Sequence, residues 1–315
     1  MSRQGLVSLS GLVARLHRHP LWDRAMWAGA DNPLLAGGAV AADIAPELGS
    51  IGINVGALFC SWWTSDHRTV WVMEPDTAAL VRDTSIRFIP DAPPSSWGGR
   101  GIIIEGANRR GLVGDVFALG CYQCRGTGHY LDWQERFWLV ALTQQGGAWV
   151  QSVPCGSQDF ESDGDLDRWI LRDDDPWSGE QRQISSEERR QIRECFQFVF
   201  AFSFFAARAG DWWHTEPAGD GPPLRNARGK AVRSGGRVTP LWSYRRLAIS
   251  EPPLSEDAGS AADSPRGPLD TTDLVLRPAV VRAHWRRVGS RKEPRLIGTY
   301  AAQRWRRRLG SKVLV

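Results

Sequence analysis

Gly101-Ile102-Ile103-Ile104-Glu105 is the most strand-like stretch of the chain: three consecutive β-branched isoleucines favour a pleated, buried strand. Before it, Pro90-Asp91-Ala92-Pro93-Pro94 and Trp97-Gly98-Gly99 interrupt any regular element, which predicts a module boundary or long loop. After it, short strands are predicted over residues 115–119, 137–143 and 149–153, and Gln144-Gln145-Gly146-Gly147 joins the last two as a hairpin turn. Residues 85–158 therefore read as a central antiparallel sheet module.

Working upstream, Leu6, Leu9, Leu12, Val13 and Leu16 recur near i, i+3, i+4 spacing, with Ser8 or Ser10 available as caps. Part of residues 5–29 is thus predicted helical. From Ile51 to Met73 the blocks INVGALFCSWW and TVWVM flank the polar residues Thr64 to Arg68, which reads as a hairpin. Residues 1–84 form an N-terminal helix and hairpin region on this reading.

Downstream, eleven acids between Asp159 and Glu188 face only Arg168, Arg172 and Arg182, so residues 159–184 read as an acidic, solvated linker. The alternative is that this stretch folds back on the chain's own basic C-terminal tail and masks it until a polyanion competes. Ser185-Ser186-Glu187-Glu188 has the form of a capping box, and the run it opens is predicted helical up to Gly210. Its Phe-rich centre, Cys195 to Phe205, is apolar on nearly all sides yet too short to span a bilayer, which predicts a buried helix.

Residues 217–236 and 252–268, rich in Gly, Pro, Ser and charge, read as loops that need no order. Residues 238–249 are a plausible strand pair, and 275–281 and 295–300 are candidate strands. Residues 185–315 become a C-terminal helix plus basic β module, and the fold class expected for the whole chain is α+β.

At 315 residues, with 42% apolar and 23% charged residues, the chain has ordinary globular composition. Sixteen tryptophans are its outlier; most are expected in the core. Between Arg277 and Lys312, ten Arg and two Lys meet only Glu293. That local charge of +11 leaves −7 for the rest of a chain whose net charge is +4. No run of 18 apolar residues exists, and Arg15, His17, Arg18 and His19 interrupt a signal-peptide core, so no membrane partner and a cytoplasmic location are expected. An odd five cysteines, scattered through a long chain, fit a reducing compartment.

Cys121-Tyr122-Gln123-Cys124-Arg125-Gly126-Thr127-Gly128-His129 has the form of one zinc-knuckle half-motif, which His129 and Cys155 could complete. Structural zinc wants four ligands, normally from two such halves, so two unremarkable thiols near a turn is the expected reading. Residues 159–167 imitate an EF-hand loop, but position 12 is Ile170 where a bidentate Glu belongs. No metal and no cofactor are expected.

No nucleophile elbow, P-loop or dinucleotide fingerprint occurs. What remains is the C-terminal basic block. His284 among Arg282, Arg286 and Arg287 has the composition of a metal-independent ribonuclease site, with His284 as acid or base and the arginines stabilising phosphorane-like charge. The simpler reading is RNA binding: Arg282, Arg286, Arg287, Arg291, Arg304, Arg306 and Arg307 contact phosphates while Trp285 and Trp305 stack on bases. A third is a basic strand pair packed on the acidic linker.

The order of the Pro-rich turn with Trp97, the strand Gly101 to Glu105, Gly114-Asp115-Val116-Phe117, the Phe-rich helix, and Arg277-Pro278 leading into Val281-Arg282-Ala283-His284-Trp285-Arg286-Arg287 resembles proteins of phages and mobile elements. These are similar to the type V-A anti-CRISPR inhibitor that represses biogenesis of its effector nuclease. The resemblance, over about residues 85–300, implies a regulatory protein that recognises a target or nascent polypeptide and causes loss of its messenger RNA. The basic C-terminal module would then face RNA or the ribosome. The competing classes are a stoichiometric protein-interaction inhibitor without RNA contact and the ribonuclease.

Overall fold

A computed structural model describes residues 8–18, 51–63, 68–86, 89–125, 135–156, 185–207, 213–226, 228–249, 284–286 and 295–297. Helices in this part are α1 (Leu9–Leu16), α2 (Ile51–Trp63), α3 (Pro75–Arg82) and α4 (Ser186–Ala206). Strands are β1 (Thr69–Met73), β2 (Ser85–Ile86), β3 (Gly101–Gly106), β4 (Val116–Arg125), β5 (Glu135–Thr143), β6 (Ala148–Pro154), β7 (Trp213–Asp220), β8 (Arg233–Ser234), β9 (Arg237–Val238), β10 (Ser243–Ile249), β11 (His284–Arg286) and β12 (Arg295–Ile297). The fold is α+β, as the sequence predicts.

Its centre is a seven-stranded sheet of order β6-β5-β4-β3-β1-β10-β7. The β6-β5-β4-β3 half is antiparallel, as expected, but β1 pairs parallel with both β3 and β10, so the sheet is mixed. Strands upstream of residue 85 and downstream of residue 184 thus join the strands between them. The boundaries expected from the Pro-rich passage and the acidic stretch cut through this sheet.

Side chains alternate across the sheet, the period-2 consequence of the pleat. Ile102, Ile104, Leu119, Cys121, Phe137 and Leu139 face α3 and α4, whereas Ile103, Ala118, Tyr122, Val140 and Leu142 face α1 and α2. Two apolar layers result, one on each face.

The block INVGALFCSWW corrects the expected hairpin: it is the helix α2. A continuous apolar run has no period to separate strand from helix, and the thirteen residues of α2 exceed an ordinary strand. Two glycines let α2 come close. A Cβ on Gly101 would stand 2.9 Å from the Trp62 backbone nitrogen, and one on Gly120 would overlap Leu58 Cδ2. TVWVM is a strand, as predicted, but it enters the sheet centre rather than folding back on α2.

The capping box holds: the Ser185 hydroxyl accepts from Glu188 N–H at 3.2 Å and the Glu188 carboxylate accepts from Ser185 N–H at 2.9 Å. The helix it opens ends at Ala206; Gly210 lies outside the described residues. Phe196, Phe198, Phe200, Phe202 and Phe205 of α4 are all fully buried, each contributing on the order of 2 kcal/mol. Phe202 meets Trp71 edge-on at 5.1 Å, and Phe200 meets both Phe137 and the stacked ring of Trp97. The Trp97 indole donates to Ser203 Oγ at 2.7 Å, and Ser203 Oγ donates on to the Val199 carbonyl. Of the sixteen tryptophans, Trp62, Trp71, Trp97 and Trp242 are buried in the core, and Trp63, Trp138, Trp149 and Trp213 are partly buried against it.

No described helix is long and apolar enough to cross a membrane.

Candidate nucleic-acid interface

Between β7 and β10 the chain makes an excursion from Gly221 to Pro240 that carries Arg225, Arg228, Lys230, Arg233 and Arg237 and no acidic residue. Residues 217–236, read from sequence as loops without need of order, are in fact the end of β7 and most of this braced arm. Leu224 N–H donates to the Thr239 carbonyl, Val232 N–H to Leu224, and Thr239 N–H to Val232, each at 2.8 to 2.9 Å. The arm therefore satisfies much of its own backbone, as an ordered segment must.

Two turns shape it. Gly235 and Gly236 have φ of 57° and 80°, so the link between β8 and β9 is the two-residue hairpin turn that demands positive φ at both central residues. In the second, the Asn226 side-chain oxygen accepts from the N–H groups of both Arg228 and Lys230 at 3.0 Å. The Arg225 guanidinium donates to the Gly229 carbonyl at 2.6 Å. Arg225, Arg228, Lys230, Arg233 and Arg237 are all exposed, as is Val238, the one exposed large apolar side chain among the described residues.

The arm is rooted in aromatic rings. Gly221 lies flat against Trp242, where a Cβ would stand 2.7 Å from the indole. Trp242 meets Trp62 edge-on at 6.3 Å and Tyr244 at 5.9 Å. Beside this root, the ends of α1 and α2 and the start of β1 converge. His17 stacks on Trp63 at 5.5 Å, and the Arg68 guanidinium lies 4.0 Å from the centre of the same ring. Partial burial lowers the pKa of Arg68, although guanidinium stays protonated in proteins. His17 Nε2 accepts from Arg225 N–H at 3.5 Å, which ties the arm to this stack. Chemically the arm presents exposed cations without a neighbouring acid in its own segment, a charge distribution suited to a polyanion.

Of the residues picked out from sequence, His284, Trp285 and Arg286 form β11, whose backbone pairs antiparallel with β12 and parallel with β2. The HWR triplet is therefore joined to the strand that follows α3. Arg282, Arg287, Arg291, Arg304, Trp305, Arg306 and Arg307 lie outside the described residues, as do the candidate strand at 275–281, the EF-hand-like loop and His129.

The zinc half-motif is divided by the fold. Cys121 and Cys124 lie three residues apart on β4, which sends their side chains to opposite faces of the sheet: Cys121 into the α4 layer, Cys124 into the α2 layer. They cannot share a metal. Burial drives the thiols of Cys121 and Cys195 well above their ordinary pKa and those of Cys60 and Cys155 to about 12. Gln123 Nε2 donates to Cys155 Sγ at 3.5 Å, which opposes that rise in part. Among the described residues no cluster of His, Cys, Asp and Glu could hold a metal ion.

The arm was missed because Gly, Pro and Ser read as absence of structure. The signal present was the run of basic residues without an acid, together with Gly-Gly at a hairpin position. No protein-family model matches the chain, and no curated protein matches it in sequence.

Proposed function

We propose that the protein is a regulatory, RNA-binding protein that holds its ligand by phosphate contacts from the arm of residues 221–240. One observation carries this reading: five exposed basic side chains sit on an acid-free segment whose shape is fixed by its own hydrogen bonds. An ordered cationic surface without internal counter-charge attracts a polyanion at long range and loses little entropy on binding. The +11 segment from Arg277 to Lys312 supports the same reading, since its strand β11 belongs to the folded body. The counter-defence setting and the recognition of a target or nascent polypeptide rest on the sequence resemblance alone.

The test is titration of the full chain with labelled RNA over a range of salt. Affinity should fall steeply with salt. Arg228→Glu combined with Lys230→Glu should weaken binding about tenfold or more and flatten the salt slope by about two. Unchanged binding would overturn the reading.

A further inference from the structure

The pairing within the arm assigns a shape of ligand. In the β8–β9 hairpin, Arg233 is opposite Val238 and Ser234 is opposite Arg237. Directly opposed residues share a face and sequence neighbours take opposite faces, so Arg233 and Arg237 project from the two opposite faces of the ribbon. Between them the tip is Gly235-Gly236, with no side chain to hold it off a surface.

We infer that this hairpin enters a groove of a double-helical nucleic acid. Resting on the RNA-binding reading, the inference adds that the bound part is duplex. A ribbon with one cation per face matches a groove, whose two walls are the phosphates of two strands. A flat surface or a single strand would leave one arginine unused. In a B-form duplex the major groove, about 12 Å wide, admits a two-stranded ribbon. In A-form RNA the wide, shallow minor groove is the accessible one.

Single-strand recognition works differently, by stacking successive bases on exposed aromatic rings. No aromatic residue occurs between Gly221 and Pro240. Trp63, beside the foot of the arm, is already covered by His17 and Arg68.

The experiment titrates the full-length chain with a duplex RNA, a duplex DNA and a single-stranded RNA of equal length, all labelled, at three salt concentrations. Arg233→Ala and Arg237→Ala are tested alone and together, with near-ultraviolet circular dichroism confirming the fold. Duplex should bind at least about tenfold more tightly than single strand. Each substitution should reduce the salt slope by about one, and the two effects should add.

Single strand binding as tightly as duplex overturns the groove. So does a loss carried wholly by one arginine, because the hairpin would then lie on its ligand by one face. Tighter binding of duplex DNA than of duplex RNA keeps the groove and overturns the RNA reading. Binding to none of the three overturns both.

Discussion

Ser10 donates twice to Glu105: its backbone N–H to one carboxylate oxygen at 2.7 Å and its hydroxyl to the other at 2.8 Å. The pair closes 95 residues of sequence and fastens the first turn of α1 to β3 in the sheet centre. Ser8, the N-cap of α1, meanwhile accepts from Gly11 N–H. A buried carboxylate at a helix N-terminus is stabilised by free N–H groups and the helix dipole. Glu105→Ala should therefore cost about 2–3 kcal/mol, since two buried donors lose their acceptor. Denaturant unfolding measures it.

The pH dependence has a definite sign. Burial raises the Glu105 carboxyl above its ordinary pKa, against the lowering effect of its bonds to Ser10 and Ser8 and of Arg109. The folded chain then holds this proton more tightly than the unfolded one. The associated stability is present below the ordinary value of about 4.3 and is lost as pH rises through the folded value. Stability relative to Glu105→Gln, which cannot titrate, should fall as pH is raised from about 4 to neutrality. A relative rise in unfolding free energy over that range would contradict the placement.

Gly120 and Leu58 form a matched pair. Gly120→Ala drives a methyl into Leu58 and should cost about 1–3 kcal/mol through overpacking. Combined with Leu58→Ala the cost should be less than the sum of the two single changes, because the second removes the atoms that clash. Thermal or chemical unfolding of the four proteins gives the coupling, and simple additivity would show that α2 does not rest on β4 at this point.

Thiol chemistry tests the division of the Cys121–Cys124 motif. Native protein at mildly alkaline pH should leave Cys60, Cys121, Cys155 and Cys195 largely unalkylated, because burial keeps them protonated; denaturant should release them. A chelator should leave the melting temperature unchanged. A large fall would contradict the absence of a metal cluster among the described residues.

For the C-terminal block, Arg286→Glu with Arg287→Glu should weaken RNA binding and flatten its salt slope if the tail shares the ligand with the arm. His284→Ala should leave affinity nearly intact. If the wild type cleaves RNA in metal-free buffer, the same variant should lose that cleavage; cleavage that survives the substitution removes His284 from the chemistry.

Sequence by itself determined what local chemistry controls. Ser8 and Ser185 are cap residues beside helix-competent runs, Gly146 supplies the positive φ of the turn between β5 and β6, and isoleucines at 102–104 specify strand. For these reasons α1, α4, β3, β5, β6 and the start of β4 were legible, whereas residues 120–125, read as thiols near a turn, continue β4. Only the tertiary structure decided what depends on partners distant in sequence. Residues 51–63 became a helix because Gly101 and Gly120 offered a surface close enough to pack it, and β1 became central because β3 and β10 took both its edges. Likewise the arm acquired order from hydrogen bonds among residues 221–240 and from the ring of Trp242. Composition could report its charge; pairing alone put Arg233 and Arg237 on opposite faces.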